Sequence, residues 1–161
     1  MEPISGDFAQ EMCMKVSDVM TPDPVCCLPT DTAEKAAKIL RDHNVGCVPV
    51  VLDQKSRQLI GIITDRDLCC TVVASGLEPK ATPIKRFVTT NPLTCRIDDS
   101  LDVCLNLMQV YQLRRIPVID DEERCIGIIS QADLVRHKAA KTLDTLAEIS
   151  KSRPEAVSRT A

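Results

Sequence analysis

Gly61-Ile62-Ile63-Thr64-Asp65-Arg66-Asp67 returns 66 residues later as Gly127-Ile128-Ile129-Ser130-Gln131-Ala132-Asp133. Each stretch reads as a short buried strand that turns directly into a helix. The glycine allows close backbone approach, and the two isoleucines favour a pleated strand. A hydroxyl residue then stands three places before an aspartate. That spacing suits a helix cap, and the free N–H groups of a helix start also suit a phosphate.

Upstream of each copy the chain repeats as well, now with an offset of 68. Pro24-Val25-Cys26-Cys27 aligns with Pro92-Leu93-Thr94-Cys95, Asp31 with Asp99, and Pro49-Val50 with Pro117-Val118. A loop two residues shorter in the second half reduces the offset to 66. Ala33, Ala36, Ala37 and Leu40 fall at i, i+3, i+4 and i+7, and Leu101, Cys104, Leu105 and Met108 repeat that spacing. An amphipathic helix is therefore predicted at the same place in each half.

In the first half the pattern predicts a turn or short helix over 16–20, then an extended breaker at Thr21-Pro22-Asp23-Pro24. A strand over 25–28 and a helix capped by Asp31 and ending near His43 come next. A strand over 44–51 carries Pro49 at an edge or bend, and a polar hairpin loop spans 53–58. A strand over 59–63 and a helix from Thr64 to about Gly76 complete the half. The second half repeats this order, and its last helix is expected to run past Ala140 toward Ser150.

The expected fold class is α/β (α+β): two β-α-β-β-α repeats packed about a pseudo-two-fold axis, because a lone half of roughly 60 residues buries too little surface. The expected organisation is an arm over 1–14, repeats over 15–76 and 84–150, a linker over 77–83 and a polar tail over 151–161. The clefts between halves are natural ligand sites.

The 161 residues are 44% hydrophobic but only 2% aromatic, so the core must be built from Val, Ile, Leu, Ala, Cys and Met. A net charge of −3 with no basic stripe argues against nucleic acid or an anionic membrane as the main partner. No apolar run approaches the ~18 residues of a membrane span. Nine cysteines, an odd number, follow an N-terminus without a signal-peptide pattern. A reducing cytoplasm is the expected compartment, with most thiols packed as small hydrophobes. Zinc-ligand spacing is absent, so no metal is expected. Neither a Gly-x-Ser-x-Gly elbow nor a Walker loop is present, and no nucleophile–base pair stands out, so the chain is not expected to be an enzyme.

Val-Ser-Asp-Val-Met-Thr-Pro at 16–22, the strands containing Pro49 and Pro117, and the two Gly-h-h-(Thr/Ser)-x-x-Asp motifs together resemble a pair of cystathionine-β-synthase (CBS) domains. The resemblance covers about residues 16–138, and Thr64-Asp65-Arg66-Asp67-Leu68 followed by Ala74-Ser75-Gly76-Leu77-Glu78-Pro79 looks like small stand-alone CBS-pair proteins of the hypoxic-response type. It implies two interdigitated halves, commonly dimerised, that bind AMP, ADP, ATP or S-adenosylmethionine and act on a partner protein. No other cofactor is implied. By this resemblance Asp67 and Asp133 would hold ribose, and Thr64, Ser130, Arg114 and Arg115 would hold phosphate. Thr21, Val25, Val45 and Val48 would contact the base in one half, with Thr89, Leu93 and Leu113 as counterparts in the other.

Each residue also has a plainer role: Thr64–Asp67 and Ser130–Asp133 as capping boxes, the arginines as a solvated pair, and the apolar positions as ordinary lining. Gly46 and Cys47 stand where the second half has Arg114 and Arg115, so unequal clefts are expected. Two alternatives remain: a ligand-free structural or stress-related interaction protein, or a cysteine-based redox sensor using Cys69 or Cys70 early in a helix.

Overall fold

The structure is a computed structural model and describes residues 14–137 and Ser150. The elements of the first half are α1 (Val16–Val19), β1 (Thr21–Pro22), α2 (Ala33–Asp42), β2 (Cys47–Val51), β3 (Leu59–Thr64) and α3 (Asp65–Asp67). The last of these continues as a π-helix over Leu68–Val73. A 3-10 turn (Ile84–Arg86), β4 (Thr89–Thr90), β5 (Cys95–Arg96), α4 (Leu101–Val110), β6 (Arg115–Ile119), β7 (Cys125–Ser130) and α5 (Gln131–Arg136) follow. The mixed helix-and-sheet class matches expectation. The N-terminal arm before Met14, the run-on of the last helix and the tail lie outside the described residues.

The sheets are ordered β1-β7-β6-β5 and β2-β3-β4, so each half lends a strand to the other. Thr21 pairs with Ile128 and Pro22 with Gly127, while Thr89 pairs with Ile62 and Thr90 with Gly61. The motif glycines permit this. A Cβ at Gly61 would sit 2.6 Å from Val88 Cγ2 and 2.8 Å from the Thr89 carbonyl oxygen. One at Gly127 would overlap Met20 Sδ. Side chains at these positions would push the lent strand away.

The cores are exchanged in the same way. Val16 and Val19 of α1 are buried with Cys104, Met108, Ile116 and Ile129 of the second half. Their counterpart Ile84 is buried with Ala36, Val48 and Ile63 of the first. Reciprocal hydrogen bonds mark the pseudo-two-fold relation: Val16 N donates to Asp99 O and Ile84 N to Asp31 O. Near the axis, Leu59 N donates to Glu123 O at 3.0 Å and Cys125 N to Arg57 O at 2.9 Å. Left-handed backbone recurs in register at Asp23 and Asn91, Asn44 and Gln112, and Arg57 and Glu123. The repeat thus extends to conformations that non-glycine residues adopt only at a cost.

Three expectations are corrected. The strand over 25–28 shrinks to one parallel bridge between Cys27 and Val50. Its counterpart β5 is prolonged by Ile97 N donating to Ile119 O, a bond that Pro29 at the equivalent position has no N–H to make. Thr32, not Asp31, caps α2, accepting Lys35 N at 3.2 Å. The Asp31 carboxylate instead accepts Leu28 N at 2.8 Å, which turns the chain toward the helix. The helix from Thr64 ends at Val73, three residues short of the expected Gly76, and Gly76 instead closes the turn that follows, with a φ of 65.

Candidate functional site

Both predicted capping boxes form. Asp67 Oδ2 accepts the Thr64 N–H at 2.9 Å and the Thr64 hydroxyl at 2.7 Å. Asp133 Oδ2 accepts the Ser130 N–H at 2.7 Å and the Ser130 hydroxyl. The second aspartate does more. Its Oδ1 accepts the Thr21 hydroxyl at 3.2 Å and Arg136 Nη2 at 2.5 Å. Asp133 is only 5% exposed, so these bonds keep a buried charge satisfied. Asp67 is half-buried, and among the described residues nothing donates to its Oδ1.

Asp133 stands in the wall of a cleft of about 550 Å³ between the halves. β1 brings Thr21 into it, and the turn after β1 brings Val25. The segment before β2 brings Val45 and Gly46, and the first residue of β2 brings Cys47. The entry to β6 brings Arg114 and Arg115, and the start of α5 brings Ser130 and Asp133. Seven of the thirteen sequence-predicted site residues therefore share one cleft. Thr64, Asp67, Thr89, Leu93, Leu113 and Val48 are not in its lining. Val48 is fully buried in the first core, Leu113 packs against the second, and Leu93 is exposed.

The cleft gathers positive charge. Arg114 is exposed and Arg115 half-buried, and neither has a carboxylate within ion-pair distance among the described residues. The Arg115 guanidinium lies so close to Gly46 that a Cβ there would overlap it. Absence of a side chain at Gly46 is therefore what gives Arg115 its place. Cys47 beneath it is a neutral thiol: burial pushes its pKa up to about 11, against the pull of Arg115. The first turn of α5 contributes less free N–H than the sequence implied. Gln131 N donates to Arg114 O, and Asp133 N to Ser130 Oγ.

Sequence reasoning missed Arg136, Ile39 and His43 in this lining. Arg136 was legible in principle, one helical turn beyond Asp133 on the same face. Ile39 and His43 carry no local signal, because they enter the cleft only when α2 packs on β2 and the halves come together.

The CBS domain family profile matches this chain twice, over residues 16–73 and 84–140. Hypoxic response protein 1 of Mycobacterium tuberculosis is 32% identical over 120 residues, covering 74% of this chain and 82% of that protein. A crystal structure of Hypoxic Response Protein I with two coordinated zinc ions matches at a TM-score of 0.69 and 31% identity, covering 77% of this chain and 98% of that one. CBSX2 of Arabidopsis thaliana in complex with AMP matches at a TM-score of 0.66 and 26% identity, covering 81% and 98%. The CBS domain pair of MJ0100, in complex with 5′-methylthioadenosine and S-adenosyl-L-methionine, matches at 0.68 and 29%, covering 77% and 98%. Among the described residues of this chain, no three His, Cys, Asp or Glu side chains are grouped to hold a metal ion. No helix among them is long and apolar enough to cross a membrane.

Proposed function

We propose that this chain, which belongs to the CBS domain family and carries two such domains in tandem, is a regulatory module that takes an adenosine-containing ligand in the Asp133 cleft and signals to a partner protein. One observation carries this reading. A single cleft combines a buried, oriented carboxylate with two guanidinium groups that have no carboxylate partner among the described residues. Ribose hydroxyls would take the acceptor positions on Asp133 that Thr21 and Arg136 hold in the free protein. Arg114, Arg115 and Ser130 face the place of a phosphate, and Val25 and Val45, both exposed, flank the base. AMP, ADP, ATP and S-adenosylmethionine are the candidate ligands; AMP and S-adenosylmethionine are the bound molecules of two similar structures.

The cleft on the other side, with Thr64, Asp67, Thr89, Leu93 and Leu113, has Gly46 and Cys47 in place of the arginines and binds more weakly or stays empty. The module is a binder and not an enzyme. The titratable side chains lining the cleft are Asp23, His43, Cys47, Asp133 and three arginines, and both Asp133 oxygens already accept hydrogen bonds. A cytoplasmic homodimer is the expected form, with the exposed Val73, Val103, Val110 and Val135 as apolar surface for the second copy.

The test is thermal melting of nucleotide-stripped protein with AMP, ADP, ATP, S-adenosylmethionine and GTP. A ligand at ~100 times its dissociation constant stabilises by about 2.7 kcal/mol. A rise with an adenine ligand that Asp133→Ala removes supports the reading. No rise with any ligand favours the structural alternative, which the complete internal satisfaction of Asp133 also favours.

A further inference from the structure

Where the two β-hairpins meet near the pseudo-two-fold axis, Cys26, Val51 and Cys125 form a small buried cluster of their own. Cys26 belongs to the first repeat and Cys125 opens β7 of the second; their side chains share this cluster, with Cys26 Sγ 3.3 Å from Pro24 O and Cys125 Sγ 3.8 Å from Gly127 O. Arg57, from the loop between β2 and β3, reaches across both. Its Nη2 lies 3.7 Å from Cys26 Sγ and donates to Pro24 O at 3.0 Å, and its Nε donates to Cys125 O at 3.1 Å.

This arrangement is not a product of the repeat. The positions equivalent to Cys26, Arg57 and Cys125 are Thr94, Glu123 and Leu59. The side chains here do not follow the symmetry that governs the backbone, and two thiols and a cation converge.

We propose that Cys26 and Cys125 are a peroxide-reactive thiol pair that closes to a disulfide joining the two repeats. The first thiolate forms at Cys26. Its pKa is lowered because the Cys125 thiol donates to it and the Arg57 cation faces it, against the opposing effect of burial. The Cys125 thiol is held protonated by the same contact and by its own burial.

The Cys26 thiolate attacks one oxygen of hydrogen peroxide. An S–O bond forms, the O–O bond breaks, and the departing hydroxide takes a proton to become water. The sulfur is oxidised by two electrons and the peroxide is reduced. Cys125 sulfur then attacks the sulfenic sulfur: an S–S bond forms, the S–O bond breaks, and the second hydroxide leaves as water with the Cys125 proton. Two thiols and one peroxide become one disulfide and two waters. Access is from the side of Cys26, which is 6% exposed and directly follows Pro24 and Val25 of the cleft wall.

The test is peptide mass spectrometry of the full chain after graded hydrogen peroxide, with free thiols blocked and digestion without reductant. The expected result is a linked Cys26–Cys125 peptide that dithiothreitol reverses. In Cys125→Ser, dimedone should trap a sulfenic acid on Cys26. Arg57→Gln should slow linkage several-fold, while Arg57→Lys, which keeps the cation, should retain most of the rate; circular dichroism verifies that each variant is folded. Oxidation confined to the exposed Cys69 and Cys70 with no linked peptide, or an equal rate in folded Arg57→Gln, would overturn the proposal.

Discussion

Thr21, on the strand that the first repeat lends to the second, donates its hydroxyl to Oδ1 of Asp133 at 3.2 Å. The two residues are 112 positions apart, yet the cleft depends on their meeting. Strand exchange and ligand site are therefore one construction. Whatever displaces β1 also unmakes the wall that carries Thr21 and Val25.

Thr21→Val keeps the shape and removes the donor. It should cost about 1 kcal/mol of stability, the usual worth of one hydrogen bond, and reduce adenine-ligand affinity further. Chemical denaturation and isothermal titration calorimetry on the same samples check both.

Asp67→Ala and Asp133→Ala remove equivalent caps, and each should lose roughly 0.5–2 kcal/mol. Ligand-induced stabilisation should vanish in Asp133→Ala and persist in Asp67→Ala, because the arginines serve the Asp133 cleft. Equal loss of the melting shift in both variants would argue for two working clefts.

Glycine substitutions separate fold from site. Gly127→Ala drives a methyl toward Met20 and the lent strand, and should cost about 1–3 kcal/mol as overpacking does. Gly46→Ala first meets the Arg115 guanidinium, the end of a flexible side chain. It should leave stability nearly intact and weaken binding of phosphorylated ligands by moving Arg115, which denaturation midpoints and titration against ATP would reveal.

Alkaline pH should destabilise the fold before gross unfolding. Burial pushes the Cys27 thiol up to about 12 and Cys47 up to about 11, from 9.0. A raised folded pKa means the native state keeps its proton where the unfolded chain has lost it. The stabilisation is complete below pH 9 and is lost as pH rises toward 11 and 12. Each thiol adds a slope of up to about 1.4 kcal/mol per pH unit in that window. Urea midpoints from pH 8 to 11 should fall less steeply in Cys47→Ala than in the parent.

Much of this protein was legible locally. Capping depends on a hydroxyl and an aspartate three residues apart, so Thr64–Asp67 and Ser130–Asp133 declared themselves. The helix faces at Ala33–Leu40 and Leu101–Met108 followed from apolar spacing alone. Where local reading failed, a single atom decided. Pro29 lacks the N–H that Ile97 uses, so a predicted strand became one bridge.

The sequence by itself determined the two-fold repeat, its amphipathic helices and the Thr64–Asp67 and Ser130–Asp133 caps, because periodicity and hydrogen-bond spacing act within a few residues. Only the tertiary structure decided which half each short strand joins, that Gly46 makes room for Arg115, and that Arg136 shares Asp133 with Thr21. Those outcomes arise from close contacts between segments far apart in the chain, where steric fit and charge pairing leave no mark on the local pattern of either segment.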